Sequence, residues 1–294
     1  MKKQAILIMA HGSLNILNKL LELLDSKYFD IYIHIDTKST IEEKDIYECI
    51  YSKLYVYKRY DVKWADYSMI ETELFLFEEA YNNNYEYYHL ISGVDLPLKS
   101  NKYIYELFYN NYPKEFIHYE NLNVSEHKLN WIKYYYIMDY VKENPKYRDS
   151  NMACMYKQKK DGIDRLKGDK KELKTGANWV SITHELVGYI LSEKEYIRDR
   201  FPFTRSSDEF FIQTLAYNSK FKDNLYYDKF DDNYSSCLRA IDWSRGSPYT
   251  WRTSDFEDLI KSDKIFARKF SEDVDSEIID KIFNYVKELN KNEE

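Results

Sequence analysis

Ala5-Ile-Leu-Ile-Met-Ala10, then His11-Gly-Ser13, then Leu14-Asn-Ile-Leu-Asn-Lys-Leu-Leu-Glu-Leu-Leu24, is the stretch that decides the fold. Its first six residues are continuously apolar, the pattern of a strand covered on both faces in a parallel sheet. Leu14–Leu24 is amphipathic at helical spacing, so the opening reads strand, turn, helix. Working outward, Ile31–Ile35 predicts a second strand ending on Asp36, and Lys53–Tyr57 a third. Tyr87–Ile91 predicts a fourth, closed by Ser92-Gly-Val-Asp95, and Phe116–Tyr119 a fifth. Tyr67–Tyr81 and Tyr103–Tyr109 read as helices between them. Such alternation predicts an α/β fold with a mostly parallel central sheet flanked by helices. Ligands in these sheets gather at the carboxyl ends of the strands, so one crevice could hold His11, Asp36 and Asp95. Each could equally be a turn or cap residue.

Beyond the fifth strand, Tyr156–Thr175 is strongly charged and reads as a surface excursion, with an acceptor-gating lid as the alternative. Ala177–Thr183 resumes the apolar pattern, and Leu186–Ser192 reads as a helix. Asn224–Tyr227 and Leu238–Trp243 look extended, while Asp255–Ser262 and Ile278–Leu289 look helical. No repeat or linker divides the chain. We expect one domain over 1–294, with a nucleotide-binding half (1–120) and an acceptor and catalytic half (121–294).

With 294 residues, 44% of them hydrophobic, the chain can bury a large core. A net charge of −7 disfavours a generic nucleic-acid binder, which needs surplus cations for phosphates. Three scattered cysteines suggest neither a disulfide framework nor a zinc site, and fit a reducing, cytoplasmic setting. Ala5–Ala10 is too short for a signal core or a membrane span, and no other run is longer; peripheral membrane attachment stays open. The 31 tyrosines suit a core boundary or a sugar-stacking surface.

Chemistry concentrates in two places. Phe201–Tyr217, FPFTRSSDEFFIQTLAY, predicts a helix starting near Ser206 or Ser207, with Asp208 and Glu209 in its first turn. Ser206-x-x-Glu209 fits a capping box; Glu209 could instead be a general base at a cleft edge. The second place is the last quarter, where Arg239, Arg245, Arg268 and Lys269 are flanked by apolar and aromatic residues. Partly desolvated cations bind phosphate strongly, although ordinary snorkelling side chains look the same in sequence. No GxxxxGK[ST] loop, GxGxxG turn, HExxH or GxSxG is present. The only Asp-x-Asp, Asp273-Val-Asp275, lies late in the chain rather than after a central strand, so no metal site is expected.

Five segments in order carry a resemblance. They are AILIMAHGSLNILNKLL; YIHIDTKS; KWADYSMIETEL with HLISGVDLPLKS; TGANWVSITHELVGYIL with SSDEFF; and IDWSRGSPYTW through IFARKF. The chain resembles the core-2/I-branching β-1,6-N-acetylglucosaminyltransferase and peptide O-xylosyltransferase family. The resemblance implies a GT-A-like fold and inverting transfer from a UDP-sugar, GlcNAc first, to a hydroxyl of a glycan or glycolipid. It implies no cofactor and no metal. A metal-dependent UDP-xylose, UDP-glucose or UDP-galactose transferase using Asp95, or a non-catalytic nucleotide-sugar-binding subunit, are the alternatives. By the same resemblance Glu209 is the base, Lys269 binds the diphosphate, and Asp36, His11, Trp64 and Asp95 serve the donor. The partner arginine is Arg245, with Arg252, Arg239 and Arg268 as alternatives. Glu120, Trp179, Trp243 and Asp208 are the acceptor-side candidates. The chain departs from Golgi members in lacking an anchor, a stem and their cysteines. That points to a bacterial enzyme of surface polysaccharide or glycolipid synthesis at the inner face of the plasma membrane.

Overall fold

β1 (Gln4–Ala10) is buried at every residue, because strands flank it on both edges and helices cover both its faces. The computed structural model describes residues 2–136 and 145–293, and the molecule builds outward from this strand. α1 (Leu14–Leu24) is capped by Ser13, whose Oγ accepts from the Ile16 N–H, and leads back to β2 (Phe29–Ile35). β3 (Leu54–Tyr57), α2 (Ser68–Tyr81) and β4 (Tyr87–Ser92) follow. These four strands run parallel in the order β3-β2-β1-β4.

β5 (Leu96–Pro97), α3 (Asn101–Asn111), α4 (Glu126–Lys133) and α5 (Pro145–Lys160) come next. β6 (Ser181–Thr183) then joins β4 antiparallel, so a strand from the second half of the chain completes the first sheet. α6 (His184–Ser192), α7 (Lys194–Arg200) and α8 (Phe211–Tyr217) pack near it. β7 (Arg239–Ile241), α9 (Phe256–Lys261), β8 (Phe266–Arg268) and α10 (Ser276–Glu293) close the chain. β5, β8 and β7 form a second sheet with β8 in the middle.

The period-2 alternation of a strand sorts β1 between two cores. Ile6, Ile8 and Ala10 pack with Leu17 of α1, Ile104 of α3 and Ile282 of α10. Ala5, Leu7 and Met9 pack with Leu76 of α2, Val187 of α6 and Leu215 of α8. Each fully buried leucine or isoleucine is worth about 1.5–3 kcal/mol, so a one-residue slip of this strand would sacrifice both cores together.

Three expectations need correction. Phe116–Tyr119 is not a strand of the central sheet: it makes only an isolated bridge, Phe116 to Ser181, and β6 takes the fifth place. The helix expected from Ser206 or Ser207 is a tight turn over Ser207–Glu209 followed by α8 from Phe211. Tyr156–Thr175 is less detached than its charge suggests. Tyr156–Lys160 completes α5, Lys174 is buried, and Arg165 donates to the carbonyls of Arg200 and Pro202 at 2.7 and 2.6 Å. Among the described residues no helix is long and apolar enough to cross a membrane.

Candidate active site

Strand order reverses at β1: the chain moves out through β2 and β3, then returns to the other side of β1 as β4. Neighbouring connections therefore leave in opposite directions, and a crevice opens at the carboxyl ends of β1 and β4. A cavity of about 630 Å³ lies there, lined by His11 past β1, Asp36 past β2, Ser92 at the end of β4, and by Trp64, Trp179 and Arg268. Gly93 lets the β4 exit press on β1, since a Cβ there would sit 2.9 Å from the Ala10 Cβ. The Gly93 N–H donates to the Met9 carbonyl at 2.9 Å.

Arg268, one of the cations lining the cavity, is held from behind. Asp95 is buried and accepts from the Ser92 N–H at 2.9 Å and the Ser92 hydroxyl at 2.6 Å. Arg268 Nη1 donates to Asp95 Oδ1 at 3.0 Å and to Ser92 Oγ, and its guanidinium lies 4.2 Å from the Trp179 ring centroid. A planar cation on an aromatic face with a buried carboxylate behind it loses little freedom on gripping an anion. Across the cavity Asp36 accepts the Lys38 N–H at 2.9 Å and pairs with the Lys38 ammonium at 3.2 Å. The same ammonium bonds Asp61 and the Val62 carbonyl, tying down the rim.

Glu209 lies on the turn ahead of α8. Ser206 has a left-handed backbone (φ 49°), not the extended backbone of an N-cap, and its side chain caps nothing. The expected capping box is therefore absent, and the Glu209 carboxylate is directed elsewhere. Its Oε2 is 2.9 Å from the Lys128 ammonium of α4, which also bonds Glu120; the other oxygen of Glu120 accepts from Thr175 Oγ1 at 3.1 Å. The Glu209 carbonyl accepts the Gly176 N–H at 3.0 Å. Only glycine fits there, because a Cβ would fall 1.8 Å from the His118 carbonyl oxygen.

Burial pushes the Glu209 carboxyl above the usual carboxylate range, with Lys128 pulling against it. Asp208, buried beside it, is pushed up to about 7 by desolvation and then by the Glu209 charge. Glu73 on α2 is raised well above its ordinary value by complete burial, and it accepts from Asn178 Nδ2 at 2.8 Å. Asp208 also feels the positive charges of Lys128 and Arg268. The turn that carries Asp208 and Glu209 is thus within electrostatic reach of Arg268 at the cavity and of Lys128 in the Glu120 cluster.

The structure brings His11, Asp36, Trp64, Trp179 and Arg268 around the cavity, and Glu120, Asp208 and Glu209 around Lys128. Trp179, expected on the acceptor side, is a cavity wall. Lys269 follows Arg268, half-buried, its carbonyl accepting the Trp251 N–H at 3.0 Å; neither it nor Glu209 lines the cavity. Arg245 is turned to Asp242 and Asp255 at 2.5 and 2.7 Å and stacks on Tyr249. Arg239 is buried, with its guanidinium bonded to the Cys237 and Val180 carbonyls and Ser181 Oγ. Arg252 is exposed, its N–H donating to Asp255. Trp243 is exposed, and Tyr234 stacks on His118 with ring centroids 4.0 Å apart. The sequence reading missed Lys128; Ser125 ahead of Leu129 and Ile132 was the available signal for α4, and Ser125 Oγ does accept the Lys128 N–H.

A model of the core-2/I-branching enzyme family matches residues 5–263, ending just before Arg268 and Lys269. Xylosyltransferase sqv-6 of Caenorhabditis briggsae is 31% identical over 122 residues, covering 36% of this chain and spanning only 15% of that protein's length. Mouse xyloside xylosyltransferase 1, in its apo form, aligns over 90% of this chain and 97% of its own with 11% identity and a TM-score of 0.37.

Proposed function

Because the chain belongs to the core-2/I-branching enzyme family, a family of glycosyltransferases, we propose that it moves a sugar from a UDP-sugar to a hydroxyl of a glycan or glycolipid. The observation that carries this reading is that Lys128 pairs with Glu209 at 2.9 Å while the adjacent buried Asp208 feels the charges of both Lys128 and Arg268, the latter a wall of the cavity. In this reading the nucleotide sugar fills the crevice past β1, β2 and β4, against His11, Asp36 and Trp64. Arg268, steadied by Asp95 and Trp179, and Lys269 beside it receive the charge that grows on the departing diphosphate. Glu209 takes the proton of the acceptor hydroxyl as its oxygen bonds to the anomeric carbon. The bond from that carbon to UDP breaks on the opposite face, which inverts the centre.

GlcNAc is our first choice of sugar, ahead of xylose, glucose and galactose, and a GT-A-like arrangement is how we interpret a parallel sheet with its crevice at the order reversal. We assign the charge-neutralising role to protein side chains rather than to a metal, since Arg268, Lys38 and Lys63 all line the cavity. Synthesis of a bacterial surface polysaccharide or glycolipid, on the cytoplasmic side of the membrane, is the setting we propose. The test is UDP release from each of the four UDP-sugars, with and without glycoside acceptors and with excess EDTA. We expect acceptor-dependent release from UDP-GlcNAc that EDTA does not diminish. Loss of turnover in EDTA would give the diphosphate to a metal, and UDP binding without turnover on any donor would leave a binding subunit.

A further inference from the structure

A hydroxyl that Glu209 deprotonates must come within about 2.6–3.2 Å of its carboxylate. Lys128 already stands at that distance, 2.9 Å from Oε2, and shares its ammonium with Glu120. This is not a loose surface pair. The Lys128 side chain is only 17% exposed, and its ammonium lies 5.3 Å from the Trp131 ring centroid of the same helix. Arg205 covers the same ring at 4.9 Å. Among the described residues, the charged and titratable groups that act on Glu209 include Lys128 of α4, Glu120 from the 115–120 stretch, Arg205 ahead of the turn, and Asp208 within it, with His118 beyond Glu120. Of these, Lys128 alone is bonded to the Glu209 carboxylate among the described contacts.

We propose that Lys128 is a positioning residue that keeps Glu209 paired and weakly basic until a glycan acceptor displaces the ammonium, so that the acceptor, and not water, unmasks the base. The proposal rests on Glu209 being the base. An ammonium 2.9 Å away stabilises the carboxylate and weakens it as a proton acceptor. A lone water has too few contacts to offset breaking a partly buried ion pair. A glycan brings several hydroxyls for Glu120 and Lys128 and a ring face for the exposed Trp243. Once the ammonium has moved, the carboxylate meets a neutral hydroxyl in a low-dielectric site and its affinity for a proton rises. The side reaction held back is donor hydrolysis. In it a water oxygen bonds to the anomeric carbon, the bond to UDP breaks with its electron pair leaving on the phosphate, and the water's proton goes to Glu209.

The test uses Lys128→Met and Lys128→Gln, which remove the charge at similar length, with Lys128→Arg as the conservative variant and thermal melting as the folding control. UDP release from UDP-GlcNAc is measured without and with a glycoside acceptor across pH. For both neutral variants we expect the ratio of hydrolysis to transfer to rise about tenfold. We also expect the acid limb of kcat/KM for the acceptor to move up by about one pH unit. The limb of kcat should stay, because in the acceptor complex the pair is already broken. Lys128→Arg should return ratio and limb towards the parent enzyme. An unchanged ratio with superimposable profiles overturns the proposal, as does an equal shift of both limbs, which would mean the ammonium stays on the base throughout. Glu209→Gln run alongside separates the two claims: if it keeps full turnover, the base assignment fails first.

Discussion

Arg268 is a cation built into position. Its guanidinium has a buried carboxylate on one side and an indole face on the other, and what remains faces the cavity. A charge-assisted hydrogen bond to phosphate is worth about 1.5–3 kcal/mol, and each 1.4 kcal/mol is tenfold in affinity. Arg268→Ala should therefore weaken UDP binding by at least about tenfold in calorimetry. Arg245→Ala weakening it instead, with Arg268→Ala unaffected, would return the diphosphate to Arg245. The sequence makes the residues at the crevice readable in part: His11, Asp36 and Asp95 each follow a strand, and strand ends meet there. It does not show which arginine is available. That depends on Asp242 and Asp255 closing on Arg245, and on Asp95 being buried behind Arg268, both of which are facts of tertiary neighbourhood. Lys128 was invisible for the same reason: its partners lie 8 and 81 residues away.

Among the elements, the stretch from Glu115 to Glu120 deserves its own test because it carries Glu120 and His118 into the site without belonging to the sheet. Glu115 pins it to β6: its carboxylate accepts the Thr183 N–H at 2.9 Å and the Thr183 hydroxyl at 2.5 Å. Burial raises the Glu115 pKa from 4.5 to about 8. The folded state thus holds a proton there that the unfolded chain releases, so this group stabilises the fold fully below pH 4.5 and progressively less as pH rises to about 8. Replacing it by glutamine removes that dependence. Melting temperatures from pH 5 to 8 should fall more steeply for the parent protein than for Glu115→Gln; parallel curves would contradict it. Apolar pattern located this stretch but mistook its pairing, because a short extended run looks the same whether it forms a ladder or a single bridge. The turn at Ser206 misled differently. Ser-x-x-Glu spacing is compatible with a cap, but a positive φ at a serine leaves no trace in sequence.

At the scale of the whole molecule, the parallel sheet was legible because Ala5–Ala10 is continuously apolar and the β2 and β4 segments are rich in Ile, Leu and Tyr; all three strands prove buried on both faces, as in a covered sheet. The second sheet was not, since β5 has two residues and β7 and β8 three each, too few for any periodicity. That small sheet nevertheless carries Arg268, a wall of the cavity. By pairing Leu96 with Ala267 and Ile241 with Arg268, it delivers the basic end of β8 to the crevice that β1 and β4 open. The second sheet places Arg268 at the cavity, while the turn ahead of α8 and helix α4 place Glu209 against Lys128, and the proposed transfer depends on both arrangements. Its most direct test is acceptor-dependent turnover of Glu209→Gln, with melting temperature and UDP affinity measured on the same sample. The account predicts a folded protein that binds UDP as before and loses about 10²–10⁴ in kcat. Transfer at the parent rate by that variant would contradict it.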